Sequence, residues 1–307
     1  MRKLLKKAIA PAMMIMLCTV ILLISHNTDE IALYTDEGKL SFNVNSTQIT
    51  DDNGHELAVR YSHSLCRMND LTSLNLLCDK ELDFLGELKG ITKLRLKFDG
   101  NTELLDTLPY MPELRDLTIV SYDEQIFLDK AFTDKIPNLE ILYIWATMKN
   151  DFSVFAGLSK LTVIHCFDNN AVDIKGVGNC SSLAELDIDT LAVLSYEELN
   201  SCTGLRTLSI PVNTKSELEF VTALSQVEHL SVTNYSDEFL TSDDEEFLCG
   251  MDNLKTLSLK RINVNETDFV NFMPNLTSLN VYKDCISGED VNKLEDMGIT
   301  VHLVDKK

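Results

Sequence analysis

The chain has 307 residues, 45% of them hydrophobic, enough to bury one sizeable core or two small ones. Its formal net charge is −21, and of its 27 Lys and Arg four (Arg2, Lys3, Lys6, Lys7) lie in residues 1–24, which hold no acid, so 23 bases face 48 acids in the rest, a balance of −25. Such acidity argues against a nucleic-acid binder, which needs a basic face to neutralise phosphates, and against broad docking on anionic lipid; it fits a self-repelling, soluble exterior.

In chain order, the basic "MRKLLKK" leads into 17 uncharged, mostly apolar residues, Ala8 to Ile24, and then into the polar "SHNTDE". The run sits at the short end of the membrane-spanning range, and its basic flank points to the cytoplasm as a signal anchor would. A cleaved signal peptide is the alternative: Ser25 is small, but Leu23 is a poor residue at the −3 place. Leu17 before Cys18 disfavours a lipoprotein signal. Anchor and cleaved signal both place the chain from residue 30 onward outside the cytoplasm: a single-pass membrane protein touching the bilayer only through residues 1–29, or a secreted one. Residues 30–70 hold "IALYTDEGKLSFNV" and "QITDDNGHELAV", which read as hairpins turning at Glu37-Gly38 and Asn53-Gly54. This stretch is expected to cap a repeat domain spanning 71–307.

From residue 71 one pattern recurs: "LTSLNL", "ITKLRL", "LRDLTI", "LEILYI", "LTVIHC", "LAELDI", "LRTLSI", "VEHLSV", "LKTLSL" and "LTSLNV", starting at 71, 91, 114, 139, 161, 183, 205, 227, 254 and 276. Five of the nine steps are 22 residues, so this is a period rather than coincidence. Each unit offers a short strand and a return that cannot bury an apolar face alone; stacked, the units share one continuous core. These ten copies resemble leucine-rich repeats. The returns "KNDFSVFAGLSKL" and "NAVDIKGVGNCSSL" resemble the short bacterial type of internalin-like proteins, with Asp151-Phe152…Phe155 and Asp173-Ile174…Val177 as the family's acid–aliphatic signature.

The resemblance implies an α/β fold: a curved, horseshoe-shaped solenoid with a parallel β-sheet on the concave face and short helices, 3-10 turns and loops on the convex one. It also implies a non-catalytic role in recognising a protein. Ser195-x-x-Glu198, Ser216-x-x-Glu219 and Ser242-x-x-Glu245 have capping-box spacing, and "TSDDEEFLCGM" in the 27-residue step reads as a short helix. The family's turn Asn, three residues after the third aliphatic, is kept only at Asn169 and Asn213. Tyr122, Thr147, Leu191, Tyr235 and others replace it, so the side-chain ladder is expected to be broken. "SGEDVNKLEDMGITVHLV" reads as a helix and a last strand closing the far end.

Chemistry other than binding finds little footing. The six histidines belong to no metal-binding or nucleophile motif, 12 glycines form no phosphate loop, and "TDDNGHE" lacks the ligand pattern of a calcium loop. No cofactor or metal is expected. Eight cysteines in an exported domain would suggest disulfides. Yet Cys166 replaces a core aliphatic, and Cys180 and Cys202 recur 22 residues apart as small buried hydrophobes. Cys66 and Cys78 are the candidate bridge.

The strand register assigns the residues between and just after the aliphatics to the concave side. Most copies put small polar residues there. The fourth and fifth put Ile141, Tyr143, Trp145, Val163, His165 and Phe167, the chain's one Trp among them. These six should form one patch, since neighbouring strands lie about 4.8 Å apart. Lys93, Arg95 and Lys97 form a basic stripe two copies to one side, with Asp116, Thr118 and Val120 between. Glu185, Asp187 and Asp189 form an acidic stripe immediately on the other. Exposed apolar patches rimmed by charge mark interaction sites; the alternative is that the aromatics stack on one another and merely cover the sheet. Asp187 and Asp189 could contact a ligand or, remotely, act as paired carboxylates on a glycan. Self-association through the same patch, as a structural scaffold, is the second reading of function.

Overall fold

The computed structural model describes residues 30–35, 38–43, 48–51, 72–78, 81–168, 170–236 and 250–305; of the first three segments only the backbone is described. Strands β1 (Glu30–Thr35), β2 (Gly38–Asn43) and β3 (Gln48–Asp51) precede ten repeat strands: β4 (Ser73–Cys78), β5 (Lys93–Phe98), β6 (Asp116–Ser121), β7 (Ile141–Trp145), β8 (Val163–Phe167), β10 (Glu185–Asp189), β12 (Thr207–Pro211), β13 (His229–Thr233), β14 (Thr256–Lys260) and β15 (Ser278–Tyr282). A last strand, β16 (Thr300–Val304), follows. All of these join one 14-stranded sheet in chain order, parallel from β3 onward. Two short strands on the return side, β9 (Ala171–Asp173) and β11 (Ala192–Leu194), pair parallel as a second sheet that the sequence pattern did not announce.

The repeat pattern explains the sheet. In each copy the second and third aliphatics stand two residues apart in the strand, so both point to one face. Leu142 and Ile144, Ile164 and Cys166, Leu186 and Ile188, and Leu208 and Ile210 are buried, as are their counterparts along the array. They pack against the returns in one continuous apolar cluster running from Leu74 to Ile299. Among the described residues the returns are mostly single 3-10 turns, such as Asp83–Glu87, Phe152–Gly157, Val177–Asn179 and Tyr196–Ser201, with three α-helices: α1 (Lys130–Thr133), α2 (Lys215–Thr222) and α3 (Gly288–Asp296). A 22-residue unit closes with either kind of return: a 3-10 turn at Tyr196–Ser201, and in the next unit the two-turn helix α2.

Several local expectations shift. Thr35 pairs with Gly38, so residues 36–37 connect β1 to β2, one position before the expected Glu37-Gly38 turn. The Asn53-Gly54 turn and Cys66 lie outside the described residues, as do Ala8 to Ile24, the "TSDDEEFLCGM" helix and Ser242-x-x-Glu245. Among the described residues no helix is long and apolar enough to cross a membrane. Ser195 is not a capping residue: its backbone is left-handed (φ 67°) and its side chain caps nothing, while Glu198 reaches back to accept from Gly176 N–H at 3.1 Å. The box expected at Ser216 and Glu219 forms instead between Thr214 and Glu217. The chain turns there because Asn213 is held by both neighbouring repeats, which leaves Thr214 extended and free to cap.

The side-chain ladder is also relocated rather than lost. Asn213 Nδ2 donates to Leu191 O (2.9 Å) and its Oδ1 accepts from Tyr235 N–H (2.9 Å), joining three successive repeats; Asn169 lies outside the described residues. A second ladder runs on the other side, one residue ahead of each repeat's first aliphatic. Asn138, Ser182, Gln226, Asn253 and Asn275 donate to the carbonyls of Pro112, Ser159, Cys202, Ser225 and Asp252 in the preceding repeats. The recurring "PNL", "DNL" and "PNL" at 137, 252 and 274 are its sequence signal. On the return side Asn150 satisfies both backbone groups of Leu128, donating to its O at 2.7 Å and accepting from its N–H at 3.2 Å. Asn150→Ala orphans that part-buried pair and is expected to lower stability by about 1–3 kcal/mol, read as a lower urea midpoint at unchanged slope.

Candidate functional site

The sheet face turned away from the core carries three rows of side chains, and the strand pairing fixes which residues share a row. Lys93, Asp116, Ile141, Val163 and Glu185 form the first; Arg95, Thr118, Tyr143, His165 and Asp187 the second; Lys97, Val120, Trp145, Phe167 and Asp189 the third. All eight patch residues read from the sequence (Ile141, Tyr143, Trp145, Val163, His165, Phe167, Asp187 and Asp189) therefore stand on one face of three adjacent strands.

Their contacts are specific. The Trp145 and Phe167 rings stack with centroids 4.3 Å apart. Tyr143 meets His165 edge-on at 4.8 Å, and His165 meets Phe167 edge-on at 6.2 Å. Such aromatic pairs add about 0.5–1.5 kcal/mol beyond the area they bury. The stack is thus real, yet it does not close the surface: Trp145 remains 41% exposed. Val120, assigned to the same open face, is buried but lies outside the core cluster. Its row neighbours are Lys97 and Trp145, both longer side chains.

Charge brackets the aromatics. His165 Nε2 lies 2.6 Å from Glu185 Oε1, and its Nδ1 lies 3.9 Å from Asp187 Oδ2, so one imidazole bridges the aromatic and acidic strips. Asp189 accepts from the Tyr235 hydroxyl at 2.7 Å across an intervening repeat. Burial first, then the Asp189 carboxylate, push the Tyr235 phenol up, which keeps it protonated and donating. Lys93 pairs with Asp116 at 2.7 Å, and Lys97 Nζ sits 5.8 Å from the centre of the Tyr122 ring. Beneath the site, burial and then the charges of Asp168 and Asp187 push the Cys166 thiol up to about 12, far from thiolate reactivity. Among the described residues no group of three His, Cys, Asp or Glu side chains converges to hold a metal ion.

The structure adds a rim to the patch. Tyr122 (71% exposed), Leu191 (54% exposed) and Tyr235 stand just past the carboxyl ends of β6, β10 and β13, and Arg261 lies 5.7 Å from the centre of the Tyr235 ring. Three of these four are positions where the repeat pattern calls for the turn Asn. At Tyr122, Leu191 and Tyr235 the departure from the turn Asn therefore adds side-chain surface beside the patch, and those departures were the signal.

No family model matches the sequence, and no curated protein matches it. Among solved structures the chain is similar to an internalin (InlF) from Listeria monocytogenes, with TM-score 0.50 and 20% identity over 70% of this chain and 62% of that one. It is also similar to a chain of the Toll–Spatzle complex of Drosophila, with TM-score 0.55 and 10% identity over 92% of this chain and 47% of that one. The match spans less than two thirds of either. These likenesses, with the register above, establish the fold as a leucine-rich-repeat solenoid whose open sheet face is the concave one.

Proposed function

We propose that this leucine-rich-repeat solenoid is a non-catalytic recognition module that binds a protein through the concave patch centred on Trp145 and Phe167. The observation that carries the reading is the half-open aromatic stack. An apolar plate of this kind, on a face otherwise lined by Ser, Thr, Asn and charge, keeps indole surface in water that a partner would cover. A solenoid of the same fold meets a protein ligand in the Toll–Spatzle complex. The basic, then apolar N-terminus supports an extracytoplasmic site of action, anchored in the membrane or secreted after cleavage, in adhesion or another surface interaction. The bias of −25 in the remainder supports protein over nucleic acid as partner.

The test is chemical cross-linking on intact cells expressing the chain, followed by mass spectrometry. It reports the partner, the side of the membrane and N-terminal processing together. Replacing Trp145 and Phe167 by Ser should weaken capture of the identified partner by about thirtyfold or more, the effect of losing a hot spot of about 2 kcal/mol, with the far-ultraviolet circular dichroism spectrum unchanged. Undiminished capture by the double variant overturns the concave-patch reading. Concentration-dependent sedimentation of the isolated protein that disappears in the same variant would instead favour the self-associating scaffold.

A further inference from the structure

The charged residues beside the aromatic plate are not equally available. Of the basic stripe, Lys93 is held by Asp116 and Lys97 lies over Tyr122. Arg95 is exposed and makes no hydrogen bond or ion pair among the described residues. Of the acidic stripe, Glu185 is held by His165 at 2.6 Å and Asp189 by the Tyr235 hydroxyl at 2.7 Å. Asp187 has only the 3.9 Å approach of His165 Nδ1, and its side chain is 27% exposed. The least engaged charge of each sign stands in the same row, Arg95–Thr118–Tyr143–His165–Asp187. Four strand spacings separate them, about 19 Å.

We propose that this row selects its partner by charge order. The ligand is a protein segment with a carboxylate at one end for Arg95 and an ammonium or guanidinium at the other for Asp187. Apolar or aromatic side chains between them rest on the Trp145–Phe167 plate. In an extended segment, 19 Å is spanned by about six residues. The order is asymmetric: β8 adjoins β10, whereas β7 lies two strands from β5. Counted across the strands, the apolar group of the ligand therefore sits about 5 Å from its cation and about 10 Å from its anion, displaced from both by one row, about 7 Å along the strands. Each charge contact is solvent-accessible and individually weak, so its role is to fix direction and reject partners with the wrong order while the plate supplies affinity. A carboxylate placed beside Asp187 meets a site already holding Glu185 and Asp189, and a second cation beside Arg95 meets Lys93 and Lys97. This inference rests on the concave-patch reading and specifies its ligand.

Labelled ten-residue peptides titrated against the full chain test it. One carries Glu and Arg six residues apart with Leu-Trp nearer the Arg; a second has the same composition with the two charges adjacent; a third ends in Arg on both sides and a fourth in Glu on both sides. The spaced, mixed-charge peptide is expected to bind about fivefold or more tightly than each of the others at low salt, with the margin shrinking as salt rises. Arg95→Glu should shift preference to the doubly basic peptide, and Asp187→Lys to the doubly acidic one. If both variants leave the ranking unchanged while Trp145→Ser removes binding, charge order is overturned and the patch stands. If Trp145→Ser leaves the affinities intact, or no peptide binds, both the order and the patch reading are overturned.

Discussion

Phe152→Ala is expected to lower unfolding stability by about 3–5 kcal/mol, among the largest effects of any single side chain in the array. Phe152 and Phe155 are both fully buried and meet edge-on at 5.5 Å between ring centres. In the next repeat the same two places, 22 residues on, hold Ile174 and Val177, and in the one after, Tyr196 and Leu199. The Phe pair is thus the widest apolar layer in this stretch, wedged between α1 and the turn at Val177–Asn179. Neighbouring coils are held by strand pairing on one side and by the Asn150–Leu128 bonds on the other, so they cannot close over a void the size of a phenyl ring. Because a solenoid's repeats are supported by their neighbours, a weak layer in the middle should uncouple the two halves. Urea unfolding followed by both circular dichroism and Trp145 fluorescence should show a lower midpoint and transitions that no longer coincide. A variant with an unchanged midpoint would mean that this layer does not support the array.

Gly176→Ala should cost about 2–4 kcal/mol, the sum of a left-handed backbone and an overpacked contact. Gly176 has φ +84°, which an L side chain adopts only with strain, and an added Cβ would lie 2.5 Å from the Cα of Ser153 and 2.7 Å from its nitrogen. Those are backbone atoms of the adjacent 3-10 turn and cannot rotate aside. Its amide also donates to Glu198 Oε2 in the following repeat, so displacement would break a bond that ties two successive coils. Gly157 offers the control: an added Cβ there meets nothing within 4 Å. Thermal unfolding of Gly176→Ala and Gly157→Ala side by side should show a marked loss for the first and a small change for the second. Comparable midpoints would refute the close-approach account.

The repeat was legible because burial imposes it residue by residue. Leu142 and Ile144 take their register from nine sister copies, and with that register settled, the open-face positions of Tyr143, Trp145, His165 and Phe167 followed by alternation. Cys166 could be read as core for the same reason. What could not be read were relations between coils. Which amide spans to which carbonyl depends on the stacking offset, so "PNL" and "DNL", though they repeat openly, do not by themselves specify the ladder ahead of the strands. Ser195 and Ser216 matched a capping pattern, but a cap needs a backbone direction that the neighbouring coils impose: Ser195 turned left-handed, and Thr214 took the cap because Asn213 was held on both sides. Val120 stands on the open face by alternation yet is buried, because exposure depends on the neighbours across the sheet as well as on the face. The sequence by itself thus determined the fold class, the strands and the face each side chain occupies, since period-two alternation against one core is a local constraint. Only the tertiary structure decided which charges are already engaged, how far Trp145 stands open and where the coils touch, because these are distances between residues about 22 apart or more, set by the stacking of whole repeats.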